Sequence, residues 1–188
     1  MSFFDDEIRL AAAGEHAFAG HVHPQCNIGA NPNGGYLLAI AVSALRQAVP
    51  AHPDPLSVTV HYLRPGLADR PCRVDTQILR SGRSLSTGRA TLVQDGEPRL
   101  EVLAALGNLE TDAQPVLALP VPQMPPPGQC TPRSGAEQGL AMPLLDRVDI
   151  RLHPDEAFAG RAGKAQVTGW VGFHDGRAAD TLASVRCA

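Results

Sequence analysis

Leu37, Ile40, Ala41, Ala44, Leu45 and Ala48 recur at spacings of three and one, the stripe of an amphipathic helix. Asn31-Pro32-Asn33-Gly34-Gly35 marks its start. Either Asn31 caps with Pro32 at the first helical position, or Asn33 caps with Gly34 there. Pro50 marks its end. Sixteen residues make a rod of about 24 Å. Alternation takes over at once: Leu56, Val58, Val60 and Tyr62 interleave with Ser57, Thr59 and His61, and Val74, Thr76 and Ile78 with Arg73, Asp75 and Gln77. Strands over 85–94 and 99–107 follow, split by Gln94-Asp95-Gly96-Glu97, where Asp-Gly suits a hairpin. A further strand, Ala17 to His23, precedes the helix. Turns this short force antiparallel neighbours, because parallel ones need a crossover of about a dozen residues or more. The expected fold class is α+β, an antiparallel sheet with one long apolar helix packed on a face.

A length of 188 residues sets a prior of little more than one domain. Hydrophobic residues make up 44% and charged ones 19%, with a formal charge of −3, which excludes a disordered polyelectrolyte. The lack of a basic surplus argues against nucleic acid as a partner. No apolar run approaches the roughly 20 residues of a membrane span, and the first residues, Met1 to Glu7, are acidic where a signal peptide is basic. A soluble, cytoplasmic protein with no membrane partner is expected. Cysteines 26, 72, 130 and 187 form no C-x-x-C, so zinc-ribbon and thioredoxin-type sites are excluded on spacing, and reduced thiols are expected.

Proline divides the chain. From Gln114 to Pro143 it removes backbone donors and favours an extended connector over a helix or central strand. A connector of about 30 residues inside one compact domain is unusual. The expected organisation is residues 1–110, a linker over 111–143, and a smaller piece over 144–188.

Three segments carry a resemblance to a known family: Asn33-Gly34-Gly35-Tyr36 opening the helix, His61-Tyr62-Leu63-Arg64-Pro65-Gly66 closing the next strand, and Leu79 to Ser86 leading into Arg89 and Gln94-Asp95-Gly96. In order and separation they resemble the acyl-CoA thioesterase II family of hot-dog proteins, in which a curved antiparallel sheet wraps a central helix. The resemblance implies hydrolysis of acyl-CoA thioesters by water, with no metal, no cofactor and no covalent intermediate, in a homodimer. Family members are typically double hot-dogs. Leu144 to Pro154 and Ala165 to Phe173 resemble the opening strands of the second unit, and His174 to Asp180 the approach to its helix. On this reading the chain stops before most of that helix, leaving the second hot-dog partial. The family's catalytic Asp, its Thr or Ser and its Gln then have no matching positions, and the catalytic residues stay unassigned. The rival expectation is a non-catalytic acyl-CoA-binding or assembly module, or a truncated product lacking the catalytic half.

Substrate-binding candidates are Asn33, Gly34, Gly35, Tyr36, Arg64 and Arg83. The first amides of a helix lack intrahelical partners and sit at the positive end of its dipole. Gly34 and Gly35 either let a thioester carbonyl approach that backbone or let the helix start pack tightly beneath a strand. On the first reading the acyl tail follows Leu37, Ile40 and Ala41, and Gly35→Val lowers turnover while the fold stays cooperative. Six arginines fall between 64 and 89. Guanidinium grips the phosphates of coenzyme A well, and Arg64 and Arg83 lie inside the resembling motifs; the other reading of these arginines is solvated strand edges. A base for water is less evident: Asp54 and Asp75 match no catalytic position of the family, and His61 has the phase of a polar strand residue. His21 and His23 share a strand face without a carboxylate at ligand spacing. Gly82-Arg83-Ser84-Leu85-Ser86 misses the last glycine of a nucleophile elbow, and a strand follows it. Gly163-Lys164 lacks the rest of a phosphate loop.

Overall fold

The computed structural model describes residues 2–109, 117, 120–136, 139–158, 163 and 165–187, with Cys187 as backbone only. A short helix α1 (Phe3–Glu7) and strands β1 (Ala11–Gly14) and β2 (Ala17–Val22) come first. Two-residue strands β3 (Asn27–Ile28) and β4 (Asn31–Pro32) lead into the central helix α2 (Gly34–Ala48). Strands β5 (Asp54–Tyr62), β6 (Arg70–Ser81), β7 (Leu85–Gln94) and β8 (Glu97–Gly107) follow. β1, β2 and β5 to β8 pair antiparallel in the order β1-β2-β6-β7-β8-β5, while β3 and β4 pair only with each other. This is the expected sheet around one helix: the hot-dog fold.

Asn33 is the cap of α2: its Oδ1 accepts the Tyr36 amide at 3.0 Å. That settles the choice left open at Asn31 and Asn33. Strand phase decides what faces the helix. Val74, Ala90, Leu92, Leu100, Val102, Ala104 and Leu106 are buried on the inner face, while Arg73, Arg89 and Leu103 point outward and are exposed. Small residues let the sheet close in: a methyl added at Gly88 would lie 3.0 Å from Leu45 Cδ2. The β7–β8 turn is the expected Asp-Gly hairpin, with φ of 51° at Asp95 and 78° at Gly96.

The helix differs from a one-stripe reading. Every residue from Gly35 to Val42, and Ala44 and Leu45 beyond, is buried. The cause is a second cover: α3 (Thr181–Cys187) packs on α2, and α1 meets the helix at Tyr36, whose hydroxyl bonds the Glu7 carbonyl. A helix that is apolar all round is a helix covered all round.

The remaining strands, β9 (Thr131–Pro132), β10 (Val148–Leu152) and β11 (Gly169–Phe173), form a separate antiparallel sheet in the order β11-β10-β9. Both long strands are shorter than the sequence suggests. A 3₁₀ turn occupies Pro143–Asp146 ahead of β10, and residues 166–168 carry no strand pairing. In the proline-rich stretch, residues 120–126 have no regular structure, and Pro132 lies on an edge strand, where a missing donor is tolerated. Part of that stretch lies outside the described residues, as does Lys164.

Candidate functional site

Where α2 begins, the inner face of the sheet loses its cover. An open cleft of about 390 Å³ lies there, lined by Asn31, Pro32, Gly34 and Leu37 on the helix side and by residues 62–66 on the other. Its outer wall is held from behind. The Leu63 and Arg64 amides both donate to the Arg99 carbonyl, at 2.8 and 3.1 Å. Arg99 Nη1 donates to the Pro65 carbonyl at 3.3 Å. Gln94, 2% exposed, grips both backbone groups of Leu67, accepting its amide at 2.8 Å and donating to its carbonyl at 2.9 Å. Sequence reasoning quoted Gln94 within a motif and missed this bracing role. A polar side chain in an inward strand phase was the available signal.

The six candidate residues are not all at this cleft. Gly34 lines it, and Asn33 orders its backbone by taking up the Tyr36 amide with its side chain and the Leu37 amide with its carbonyl. Gly35 faces the other way, where an added methyl would land on the Arg186 carbonyl of α3. Gly35→Val therefore strikes the α2–α3 packing, and the sequence-based expectation that the fold tolerates it is corrected on this ground.

Tyr36 also turns from the cleft. Its hydroxyl donates to the Glu7 carbonyl at 2.9 Å and accepts the His23 amide at 2.9 Å. Burial pushes that hydroxyl's pKa up, so it stays protonated and serves as a strut to α1. Arg64 stands at the rim, paired with Glu97 at 3.2 Å and donating to the Pro98 carbonyl at 3.2 Å. An exposed pair of this kind is weak, so a phosphate could displace the carboxylate. Arg83 lies beyond the opposite end of β5, where its carbonyl meets His52 Nε2 at 3.3 Å. A nine-residue strand spans about 27 Å, so Arg64 and Arg83 are not brought together.

The acid–base candidates are elsewhere too. Asp54, at the start of β5, accepts from Thr181 Oγ1 at 3.1 Å and the Leu109 amide at 2.9 Å. His61 and Asp75 lie on the outer face, His61 opposite Glu101 and Asp75 bound to Arg73 at 2.7 Å. His21 pairs with Asp69 at 3.0 Å. Among the described residues, no three His, Cys, Asp or Glu side chains gather as metal ligands. Cys72 and Cys26 are not activated: burial raises Cys72 to about 11 and pushes Cys26 up as well. Ile40 and Ala41 are packed shut at 1% and 0% exposed, and of the three residues proposed to follow the tail only Leu37 lines the cleft.

The N-terminal segment is tied to the C-terminal one by buried charge, a link with no signature in the residue pattern. The Glu7 carboxylate meets Arg147 Nε at 2.6 Å and Arg186 Nη1 at 3.9 Å, and accepts from Cys26 Sγ at 3.0 Å. Arg177 bridges Asp5 and Asp180, both at 2.9 Å. No helix of the described residues is long and apolar enough to cross a membrane.

Comparison with known proteins agrees with this architecture. Residues 21–107 match the acyl-CoA thioesterase N-terminal domain family. A Thermobifida fusca chain assigned as a thioesterase II is 29% identical and superposes with a TM-score of 0.82, covering 100% of this chain and 70% of its own. A hot-dog protein of unknown function from Alicyclobacillus acidocaldarius is 24% identical, with a TM-score of 0.80 over 100% of this chain and 68% of its own. An acyl-CoA thioesterase II of Mycobacterium marinum is 21% identical, with a TM-score of 0.68 over 98% and 65%. At those identities the last two speak for the fold alone. No functionally curated protein matches the sequence. The motifs at 33–36, 61–66 and 79–96 all fall inside the matched span, and the sheet wraps α2 as those motifs imply; the chain has the hot-dog fold, and residues 21–107 of it are similar to the acyl-CoA thioesterase N-terminal domain family.

Proposed function

We propose that the chain takes an acyl-CoA thioester into the cleft at the start of α2, with the thioester carbonyl toward the Gly34 amide and water as the nucleophile. The observation that carries this is the cleft itself: it opens on two of the three resembling segments at once, at Gly34 from the helix start and at residues 62–66 from the end of β5. Asn33 occupies the amides of Tyr36 and Leu37, which leaves those of Gly34 and Gly35 in the first turn, and of these two residues Gly34 is the one that lines the cleft. An oxyanion donor of that type is worth about 3–4 kcal/mol to a transition state. The acyl group lies against Leu37 and Tyr62, and Arg64 exchanges Glu97 for a phosphate of the coenzyme. On this reading the substrates belong to fatty acyl metabolism in the cytoplasm, and the protein works as a homodimer with neither nucleic acid nor membrane as partner. The chain is then organised as one hot-dog over 1–110, a linker over 111–143 and the opening part of a second over 144–188.

A second reading has its own support. Among the described residues lining the cleft there is no carboxylate or imidazole to activate water. The same cleft would then hold an acyl-CoA without cleaving it.

One experiment separates the two. Free coenzyme A release is followed over acyl-CoAs of increasing chain length, beside binding of the same series, for wild type and Gly34→Val. A methyl at Gly34 would lie 3.1 Å from the Tyr62 ring and hydroxyl, so valine crowds the cleft while leaving the α3 contact intact. We expect at least a tenfold loss in kcat/KM or in affinity, with Tm within a few degrees of wild type. Unchanged kinetics and binding in a folded Gly34→Val protein would remove the cleft from the site. Binding without turnover in wild type would select the second reading.

A further inference from the structure

We infer that Tyr62 is the residue that sets which acyl groups the cleft accepts, an assignment that rests on the acyl-CoA reading above. Its phase and its exposure disagree. Tyr62 pairs with Leu100 across the sheet, in line with Val60 and Val102, so its side chain leaves the strand on the face that packs against α2. Leu100 and Val102 are fully buried there, yet Tyr62 is 52% exposed. The reason is local. Opposite Tyr62 the helix starts with Gly34, which has no side chain to cover an aromatic ring, and the ring stands over that glycine as a wall of the cleft.

Leu37 and the turn backbone are fixed. Leu37 is 3% exposed and seated against Gly66, where an added methyl would lie 2.6 Å from Leu37 Cδ1. The backbone of residues 63–67 is held by Arg99 and Gln94. Tyr62 is thus the large apolar group at the cleft whose ring is neither buried in the core nor braced by the turn. Shortening it lengthens the space beside Gly34, and enlarging it closes that space. The ligand class is an acyl chain bearing no charge near the thioester, because Pro32, Leu37, Leu63 and Pro65 share the cleft with Tyr62, and the charged lining residue, Arg64, stands at the rim paired with Glu97.

The test compares wild type, Tyr62→Ala and Tyr62→Trp on two readouts: turnover of acyl-CoAs from short to long chains, and binding of the matching non-hydrolysable acyl-CoA thioethers. The expected result is a shift in opposite directions. Tyr62→Ala raises the long-to-short ratio about tenfold or more, and Tyr62→Trp lowers it. A purely structural role would lower Tm and scale all chain lengths together. A ratio unchanged in both variants, with wild-type binding present, overturns the assignment and leaves the acyl-CoA reading standing. Absent turnover with a shifted binding ratio overturns only the hydrolytic reading. No binding of any thioether by wild type overturns both.

Discussion

Two adjacent glycines show how far a residue can be read from its neighbours in sequence. Gly34 and Gly35 are open in sequence to two explanations, access for a substrate or tight packing, and the two residues face different surroundings. Gly34 looks into the cleft; Gly35 looks onto the Arg186 carbonyl. Helical geometry explains the division, since successive residues point about 100° apart. Nothing local could say which direction would meet α3, 150 residues further on. Gly35→Ala is accordingly expected to cost about 1–3 kcal/mol through overpacking, a figure that chemical denaturation would measure. A midpoint equal to wild type would mean that α3 yields at no cost. Tyr36 was likewise legible as a helix-opening residue, while its role as a strut to α1 depends on a partner that no spacing announces.

At the scale of elements, what could be read was what repeats. β5 to β8 and α2 have periods of two and of three to four, and each is found within a few residues of its expected bounds. α1 has five residues, too few for a period, and its place is fixed by contacts made after folding. Phe3's amide donates to Asp175 at 2.8 Å, Asp5 and Glu7 bind arginines from the far end of the chain, and Phe4 stacks with Phe173 at 5.4 Å between ring centres.

These ties carry a pH signature. Burial acts to raise the Asp5 and Asp180 carboxyls, but hydrogen bonds from the Ser2 hydroxyl and the Arg177 guanidinium outweigh it at Asp5, and those from Arg177 and the Ala183 amide at Asp180, holding both below the usual carboxylate range. A depressed carboxyl stabilises the fold above its unfolded pKa of about 3.9, and that contribution is lost as pH falls through the lower folded value. The Tm difference between wild type and Arg177→Met should therefore be constant from neutral pH down to about 5 and narrow below about 4. A difference that is flat across the whole range would mean that Arg177 acts through its stacking on Phe4 and Phe173 alone.

The whole molecule was legible as a wrapped helix because patterning fixes which face of each strand is apolar. The second cover was not, since it is made of one short helix and one that starts at Thr181, with ion pairs joining α1 to α3 and to Arg147. The cleft falls between these two degrees of legibility. Its motifs are local, and its walls are set by Gln94 and Arg99 reaching back across a hairpin.

The double cover on α2 has a consequence in time. Deuterium can replace an amide proton only when that amide meets solvent, and no partial opening of one sheet edge or of α1 alone uncovers this helix. Amides of residues 38–45 should be the last to exchange, at a rate set by unfolding of the whole chain, while the edge strand β5 exchanges earlier. Mass-resolved exchange of peptides from α2 and β5 would order them. If β5 outlasts α2, the helix has a private route to solvent; if not, the helix records in heavy water how often the entire molecule lets go.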